Sequence, residues 1–247
     1  MEILPNERLD DLQRKLPDGR SLQIIQNPQW FCFGIDAVLL SHFADIRKND
    51  TVMDLGTGTG VMPLLLAAIS EAKSIDGLEI QPDVADMARR SVSLNMLEDR
   101  VNIITDDIVG YKTSVQYSAV ICNPPYKKAG SGILNKDDNQ YISRHEVLCN
   151  LHDIVQTASR ILKPFGRFAI IHRPERLADI IFEMRSLKIE PKRIRYVHSY
   201  VQKAAVMVMI EGMRGAKPYI KTEPPLVIYN EDGSYTDEVL EYYSTDI

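Results

Sequence analysis

Thr51-Val-Met-Asp-Leu-Gly-Thr-Gly-Thr-Gly60 decides how this chain is read. Val52, Met53 and Leu55 make a short buried strand, and the glycines that follow end it. Gly56, Gly58 and Gly60 let the backbone bend sharply and approach a ligand without Cβ clashes. Val61 to Ala72 then continues as a helix. A strand, a glycine turn and a helix in that order form the opening of a nucleotide-type crevice.

Outward from this point the pattern alternates. Ser74 to Glu79 reads as a second strand, and Pro82 to Met96 as an amphipathic helix with Pro82 in its first turn. Val101–Thr105 and Tyr117–Cys122 are two more strands. Residues 123–145 form a long polar loop. Glu146 to Leu162 is expected to be helical and to stop at Pro164 and Gly166, and Arg167 to His172 is a fifth strand. A helix over Glu175–Leu187 and strands at Arg193–Val197 and Ala205–Glu211 complete the series. Upstream, Pro17-Asp-Gly-Arg20 is a turn between short strands, and Ile35 to Ala44 is a helix with Asp36 as its N-cap. The alternation predicts an α/β fold with a mostly parallel sheet and helices on both faces. The expected division is an N-terminal extension over 1–35, a main domain over 36–215 and an acidic tail over 216–247.

Composition narrows the class. The chain is 45% hydrophobic and 26% charged, which excludes a disordered chain or a collagen. The longest uncharged apolar stretch, Val61 to Ser70, has ten residues, against about 20 for a membrane span. The start of the chain has no basic, apolar signal segment. Cys32, Cys122 and Cys149 show no CxxC spacing, so neither a disulfide framework nor a metal site is expected. A cytoplasmic location follows as the expectation. The net charge of −5 is unevenly placed. Residues 211–247 hold eight acids and three bases, whereas residues 158–203 hold eleven bases and four acids. That basic segment is a candidate polyanion surface, with Arg173, Arg176, Arg185, Lys188, Lys192, Arg193 and Arg195 as phosphate contacts.

The glycine loop is not a dinucleotide fingerprint, because the third glycine comes one position early, and no Gly-Lys-Ser/Thr follows as in a P-loop. Glu79 ends the second strand, where a carboxylate can hold two ribose hydroxyls. Asp106-Asp107 follows the third strand, where an acid can accept from an adenine amino group. Three polar sites on successive strand ends fit an adenosyl ligand lying across the sheet. Here the chain resembles the S-adenosylmethionine-dependent methyltransferases. Their glycine loop, ribose acid and adenine acid match Asp54-Leu-Gly-Thr-Gly-Thr-Gly60, Glu79 and Asp107, the latter because the family's acid precedes an apolar residue, here Ile108. The resemblance implies a seven-stranded Rossmann-like class I fold. It also implies a cofactor-binding set of Asp54, Gly56, Gly58, Gly60, Glu79, Ile80 and Asp107.

Cys122-Asn-Pro-Pro-Tyr126 leaves the fourth strand. Its two prolines fix φ and force an extended turn. The turn presents the Asn123 amide oxygen and the Pro124 carbonyl, and both can accept hydrogen bonds from one planar NH2 group. Tyr126 would stack on a flat substrate. Asn123, Pro124, Pro125 and Tyr126 are therefore the candidate catalytic residues. The resemblance narrows to amino-methyltransferases carrying this Asn-Pro-Pro-Tyr signature. Three further stretches, Phe31 to Ala44, Arg144-His-Glu146 and Arg195 to Glu211, make the chain similar to the bacterial tRNA adenine-N6 methyltransferases that modify valine tRNA beside the anticodon. That family implies a tRNA substrate and places Phe33-Gly-Ile-Asp36 near the methionine end of the cofactor. Arg144, His145, Lys127 and Lys128 are candidate substrate contacts.

Other readings stay open. A protein glutamine-N5 methyltransferase presents the same NH2 group to the same turn, although such enzymes carry a separate helical N-terminal domain. A small-molecule methyltransferase would close the 127–145 loop over a metabolite, and a non-catalytic RNA-binding module would bind without turnover. The acidic tail is expected to be disordered, to dock on the basic segment, or to bind a partner.

Overall fold

A computed structural model describes residues 3–30, 32–125 and 150–243. In chain order the elements are β1 (Arg8–Lys15), β2 (Ser21–Gln26), α1 (Ile35–Phe43), β3 (Thr51–Leu55), α2 (Val61–Ile69), β4 (Ser74–Glu79), α3 (Pro82–Leu94), β5 (Val101–Thr105) and β6 (Tyr117–Cys122). Then come α4 (Leu151–Ile161), β7 (Leu162–His172), α5 (Leu177–Ser186), β8 (Ile189–His198), β9 (Ala205–Arg214), β10 (Lys221–Thr222), β11 (Leu226–Val227) and α6 (Asp237–Tyr243).

Seven long strands make the expected sheet, in the order β8-β9-β7-β6-β3-β4-β5, with β9 antiparallel to both its neighbours. Along the inner strands alternate residues serve opposite faces, as a period of two requires. Val52, Ala119 and Ile121 join a core with α1, α2 and α3, whereas Met53, Leu55, Val120 and Cys122 join one with α4 and α5. Helices therefore cover both faces.

The hairpin β1–β2 lies outside this sheet. The backbone of β2 is satisfied by side chains one helical turn apart on α3. Ser91 Oγ accepts from Ile25 N at 2.9 Å, and Asn95 Oδ1 accepts from Gln23 N at 3.0 Å. Bonding to α3 protects a strand edge that would otherwise be open to pairing.

Several expected boundaries move; β8 begins at Ile189 rather than Arg193, β9 runs on to Arg214, and the helix opened by Val61 ends at Ile69. Asp36 does not cap α1. Gly34 holds that position with extended backbone, and Asp36 folds back in the first turn, where its Oδ1 accepts from Ala37 N. A Cβ at Gly34 would lie 2.7 Å from that oxygen, so the fold-back needs glycine. Strand β7 begins at Leu162 rather than Arg167, because Pro164-Phe-Gly166 forms an irregularity inside the strand, with Phe165 at φ 61°. Residues 174–176 form a 3-10 turn before α5.

Of the fates considered for residues 216–247, the described part, up to 243, is docked on the basic segment. Strands β10 and β11 run parallel to β8 and bring the sheet to nine strands among the described residues. Arg195 donates to Glu238 at 2.8 Å, to the Pro224 carbonyl at 3.0 Å and to the Tyr242 hydroxyl at 3.2 Å. Arg193 pairs with Glu211 and Glu223, both at 3.2 Å, and lies over the Phe43 ring. Tyr242 stacks on His42 of α1 at 4.3 Å between ring centroids. Arg176 and Arg185 are paired too, with Asp179 and Glu190. Four of the seven candidate phosphate contacts, Arg176, Arg185, Arg193 and Arg195, are thus paired with acids within the fold, which narrows the candidate polyanion surface. Of those seven candidates, Arg173, Lys188 and Lys192 form no ion pair among the described residues, and Lys192 donates to the Lys217 carbonyl at 3.1 Å instead. Reversing Arg195 to Glu would set two carboxylates together in a mostly buried place. The expected result is a Tm lower by about 5–15 °C and faster proteolysis within 216–243. Unchanged melting and cleavage would show that the pair contributes nothing.

Candidate active site

The parallel register brings the glycine loop, Glu79, Asp107 and Asn123 to one rim. Leu55 pairs with Cys122 on one side and Leu78 on the other, and Glu79 pairs with Thr105. The chain beyond those strand ends is therefore laid out in the order Asn123, Gly56, Glu79 with Ile80, Asp106 with Asp107. The Cys122 thiol donates to the Leu55 carbonyl at 3.1 Å, tying the two innermost ends together.

The glycine turn is shaped by its backbone. Gly56, Gly58 and Gly60 have φ of 76°, 58° and 85°, a region that favours glycine. The amides of Gly56 and Thr57 both donate to the Leu78 carbonyl at 2.9 Å. Gly60 caps α2, and a Cβ there would lie 3.2 Å from that of Ala88. At Gly58 a Cβ would meet nothing within 4 Å, so this part of the loop borders open space. Sequence reading missed Gly77. A side chain there would come within 2.9 Å of Thr57, so Gly77 is what lets the loop sit over β4.

Glu79 is buried, and both its oxygens face backbone amides. Oε2 accepts from Gly58 N at 3.0 Å and Oε1 from Gln81 N at 2.9 Å. A carboxylate has about four acceptor positions, so capacity for a pair of hydroxyls is left. Asp107 is half-buried, and its Oδ1 accepts from Val109 N at 2.9 Å in a tight turn. Asp106 uses Oδ1 to accept from Asp107 N. Ile80 is half-buried, and Ile108, which reaches the neighbourhood of Gly56, packs on the α4–α5 core.

Asp54 sits fully buried at the base of the loop, and neither of its oxygens has a hydrogen-bond partner among the described residues. Burial pushes its carboxyl up from 3.8 to about 7 against the opposing influence of the Thr57 hydroxyl, and the nearby Glu79 carboxylate adds to the rise. A buried acid left unpartnered is costly. A donor supplied by a ligand would relieve it, which fits the bottom of an adenosyl and amino-acid pocket. The folded chain binds this proton up to pH about 7, the unfolded chain only up to about 4. The stability this group contributes is therefore full below pH 4 and is lost as pH rises to 7. Asp54→Asn is expected to abolish that decline and to raise the ligand-free Tm at pH 8 above wild type. Parallel Tm-against-pH curves for the two proteins would refute the placement.

Beyond β6, Asn123 is half-buried, Pro124 buried and Pro125 exposed. Tyr126 lies outside the described residues, as do Lys127, Lys128, Arg144 and His145. His172, at the end of the adjacent β7, carried no signal in the sequence. It is buried, its Nδ1 accepts from Arg173 N at 2.8 Å, and burial lowers its pKa to about 4. The ring is therefore neutral at pH 7 and adds no positive charge beside Asn123. Among the described residues no group of three His, Cys, Asp or Glu is arranged to hold a metal, and no helix is long and apolar enough to cross a membrane.

The arrangement matches known proteins. The family described as methyltransferase small domain matches residues 21–184. A tRNA1(Val) (adenine(37)-N6)-methyltransferase of Aliivibrio fischeri is 28% identical over 211 residues, covering 85% of this chain and 88% of the relative. One from Porphyromonas gingivalis is 28% identical over 217 residues, 83% and 84% of the two chains. Among solved structures, a protein of Agrobacterium tumefaciens described as a predicted O-methyltransferase superposes with a TM-score of 0.68 at 22% identity, covering 85% of this chain and 98% of that one. An S-adenosylmethionine-dependent O-methyltransferase of Thermotoga maritima gives 0.54 at 17% identity, over 83% and 78%. At these identities the solved structures speak for the class I Rossmann-like fold alone. The family match covers most of the chain, which belongs to the methyltransferase small domain family and is an S-adenosylmethionine-dependent methyltransferase.

Proposed function

We propose that the protein methylates N6 of an adenine in tRNA, in the anticodon loop of a valine tRNA. The observation that carries this reading is the pairing of Leu55 with Cys122, which sets the Asn-Pro-Pro corner one strand from the glycine loop. The names of the tRNA-modifying relatives support the choice of base. A tRNA substrate would put the work in the cytoplasm.

S-adenosylmethionine, when bound, supplies a methyl group already activated on a sulfonium. The protein's part is holding and aligning. Glu79 would take the ribose hydroxyls while its two backbone amides keep the carboxylate from turning. Asp107 would accept from the adenine amino group of the donor, with Ile80 against its ring. Asp54 would receive a donor group at the base of the loop. On the substrate side, the Asn123 amide oxygen and the Pro124 carbonyl would accept the two hydrogens of the target amine. That grip turns the nitrogen lone pair toward the methyl and makes the reaction effectively unimolecular. The same two oxygens gain strength as positive charge develops on the nitrogen. No strong general base is needed, because the methylated nitrogen becomes acidic enough to lose its proton readily. An anticodon-loop base is already unpaired, so presenting it costs little.

Incubation with labelled methyl donor and total tRNA, followed by mass analysis of the digested nucleosides, tests the proposal. Label in N6-methyladenosine is expected. Label in another nucleoside, or in glutamine of an added protein substrate and not in RNA, would overturn it.

A further inference from the structure

Docking of the C-terminal segment builds a row of aromatic rings that methyl transfer itself does not require. Tyr229 follows β11, and its amide donates to the Ser199 carbonyl at 2.9 Å, which zips it to the end of β8. Tyr235 forms a bridge back to Tyr229, and their rings stack at 5.4 Å and 14°. Tyr243 of α6 stacks on Tyr235 at 5.8 Å and 15°. At the other end Tyr200 lies 5.6 Å from Tyr229, tilted by 36°. The inner three rings are half-buried, whereas Tyr200 is 37% exposed and its neighbour Val201 66% exposed.

The position of this row matters. β8 and β7 both run antiparallel to β9, so they are parallel to each other, and their carboxyl ends share the rim that carries Asn123. Three strand steps separate β8 from β6, roughly 14 Å. The inner end of the row is close to the start of α1, where the Asp36 carboxylate is among the groups acting on Tyr243. The loop 199–204 contains Lys203, exposed, and no acid. The exposed acids Glu231 and Asp232 lie in the turn between Tyr229 and Tyr235. A polyanion would therefore run on the Lys203 side, while a flat neutral ring could continue the stack.

We propose that Tyr200, at the open end of this row, stacks an unpaired base of the substrate RNA that flanks the methylated one. The proposal rests on the reading of the protein as a tRNA methyltransferase, and supplies that reading with a contact outside the transfer site. The tyrosine row orders Tyr200 in advance, so less freedom is lost when a base settles on it. The contact is made by the ring, sequence-tolerant and insensitive to salt, unlike one to phosphate.

The test is binding of total bacterial tRNA to the full chain and to Tyr200→Ala, Tyr200→Phe and Tyr200→Trp. Tyr200→Ala is expected to raise the tRNA Kd by roughly 5- to 100-fold. The dependence of log Kd on log salt, the donor Kd and the Tm should stay as in wild type. Tyr200→Phe should bind like wild type, and the added indole of Tyr200→Trp should be quenched by tRNA. A Tyr200→Ala Kd within twofold of wild type, or a Tyr200→Phe Kd as weak as that of the alanine variant, would overturn the platform. So would an unquenched Tyr200→Trp that binds tRNA. Wild type that binds and methylates tRNA alongside an unaffected Tyr200→Ala would sink the platform alone. Wild type that fails to bind tRNA at all would sink the tRNA reading with it.

Discussion

Replacing Asn123 with alanine is expected to cut methyl transfer by on the order of 100-fold or more, while the donor Kd stays within about twofold of wild type. The asymmetry follows from position. Asn123 leaves the end of β6, whereas the groups proposed to hold the donor come from the ends of β3, β4 and β5. Removing its amide would take away one of the two oxygens proposed to orient the amine and leave the glycine loop untouched. Pro124 is buried and its φ is fixed, so the corner itself should keep its shape. Aspartate at 123 is a useful companion, because it keeps an acceptor at the same reach. It should retain more activity than alanine. Single-turnover transfer together with donor titration separates the two quantities. Turnover unchanged in Asn123→Ala would remove the residue from the reaction.

Glu79→Ala is expected to raise the donor Kd by roughly 100-fold, since hydrogen bonds to a charged group contribute about 1.5–3 kcal/mol each. It should also loosen the glycine loop, because Gly58 N loses its acceptor. Glutamine is not a conservative replacement here. Glu79 accepts from a backbone amide at each oxygen, and a carboxamide has only one oxygen. Either Gly58 N or Gln81 N would then face an NH2 group. Glu79→Gln should therefore bind the donor nearly as poorly as Glu79→Ala. Calorimetric titration with S-adenosylhomocysteine measures both. A glutamine variant that binds like wild type would mean the carboxylate is not held as described.

Much of this was legible in the order of residues. The inner strands over 51–55, 74–79, 101–105 and 117–122 have the bounds their apolar runs predict, because strands buried on both faces are bracketed by glycine, polar and proline residues. The glycine loop was legible because only glycine adopts its three positive φ values without strain. Four things were not legible. Gly77 sits mid-strand with no local signal, and its reason lies in Thr57 across the strand step. His172 reads as one more residue of a buried strand until pairing puts it beside β6. The fate of the basic segment depends on contacts between residues far apart in sequence, such as Arg195 with Glu238, 43 positions away. Charge runs alone do not tell whether a cation meets solvent, a phosphate or the chain's own acids. The tyrosine row was hidden for the same reason, since its members come from a strand tip, a turn and the last helix.

The central claim is that one rim holds an adenosyl donor at Glu79 and a flat amine at Asn123. A crystal structure with a compound that joins the adenine N6 of a short RNA to an S-adenosylmethionine-like adenosyl group tests it most directly. The account predicts the ribose on Glu79, with the linked N6 within hydrogen-bond distance of the Asn123 amide oxygen or the Pro124 carbonyl. An adenosyl group bound away from the Gly56–Gly60 loop, or an N6 turned away from that corner, would contradict it.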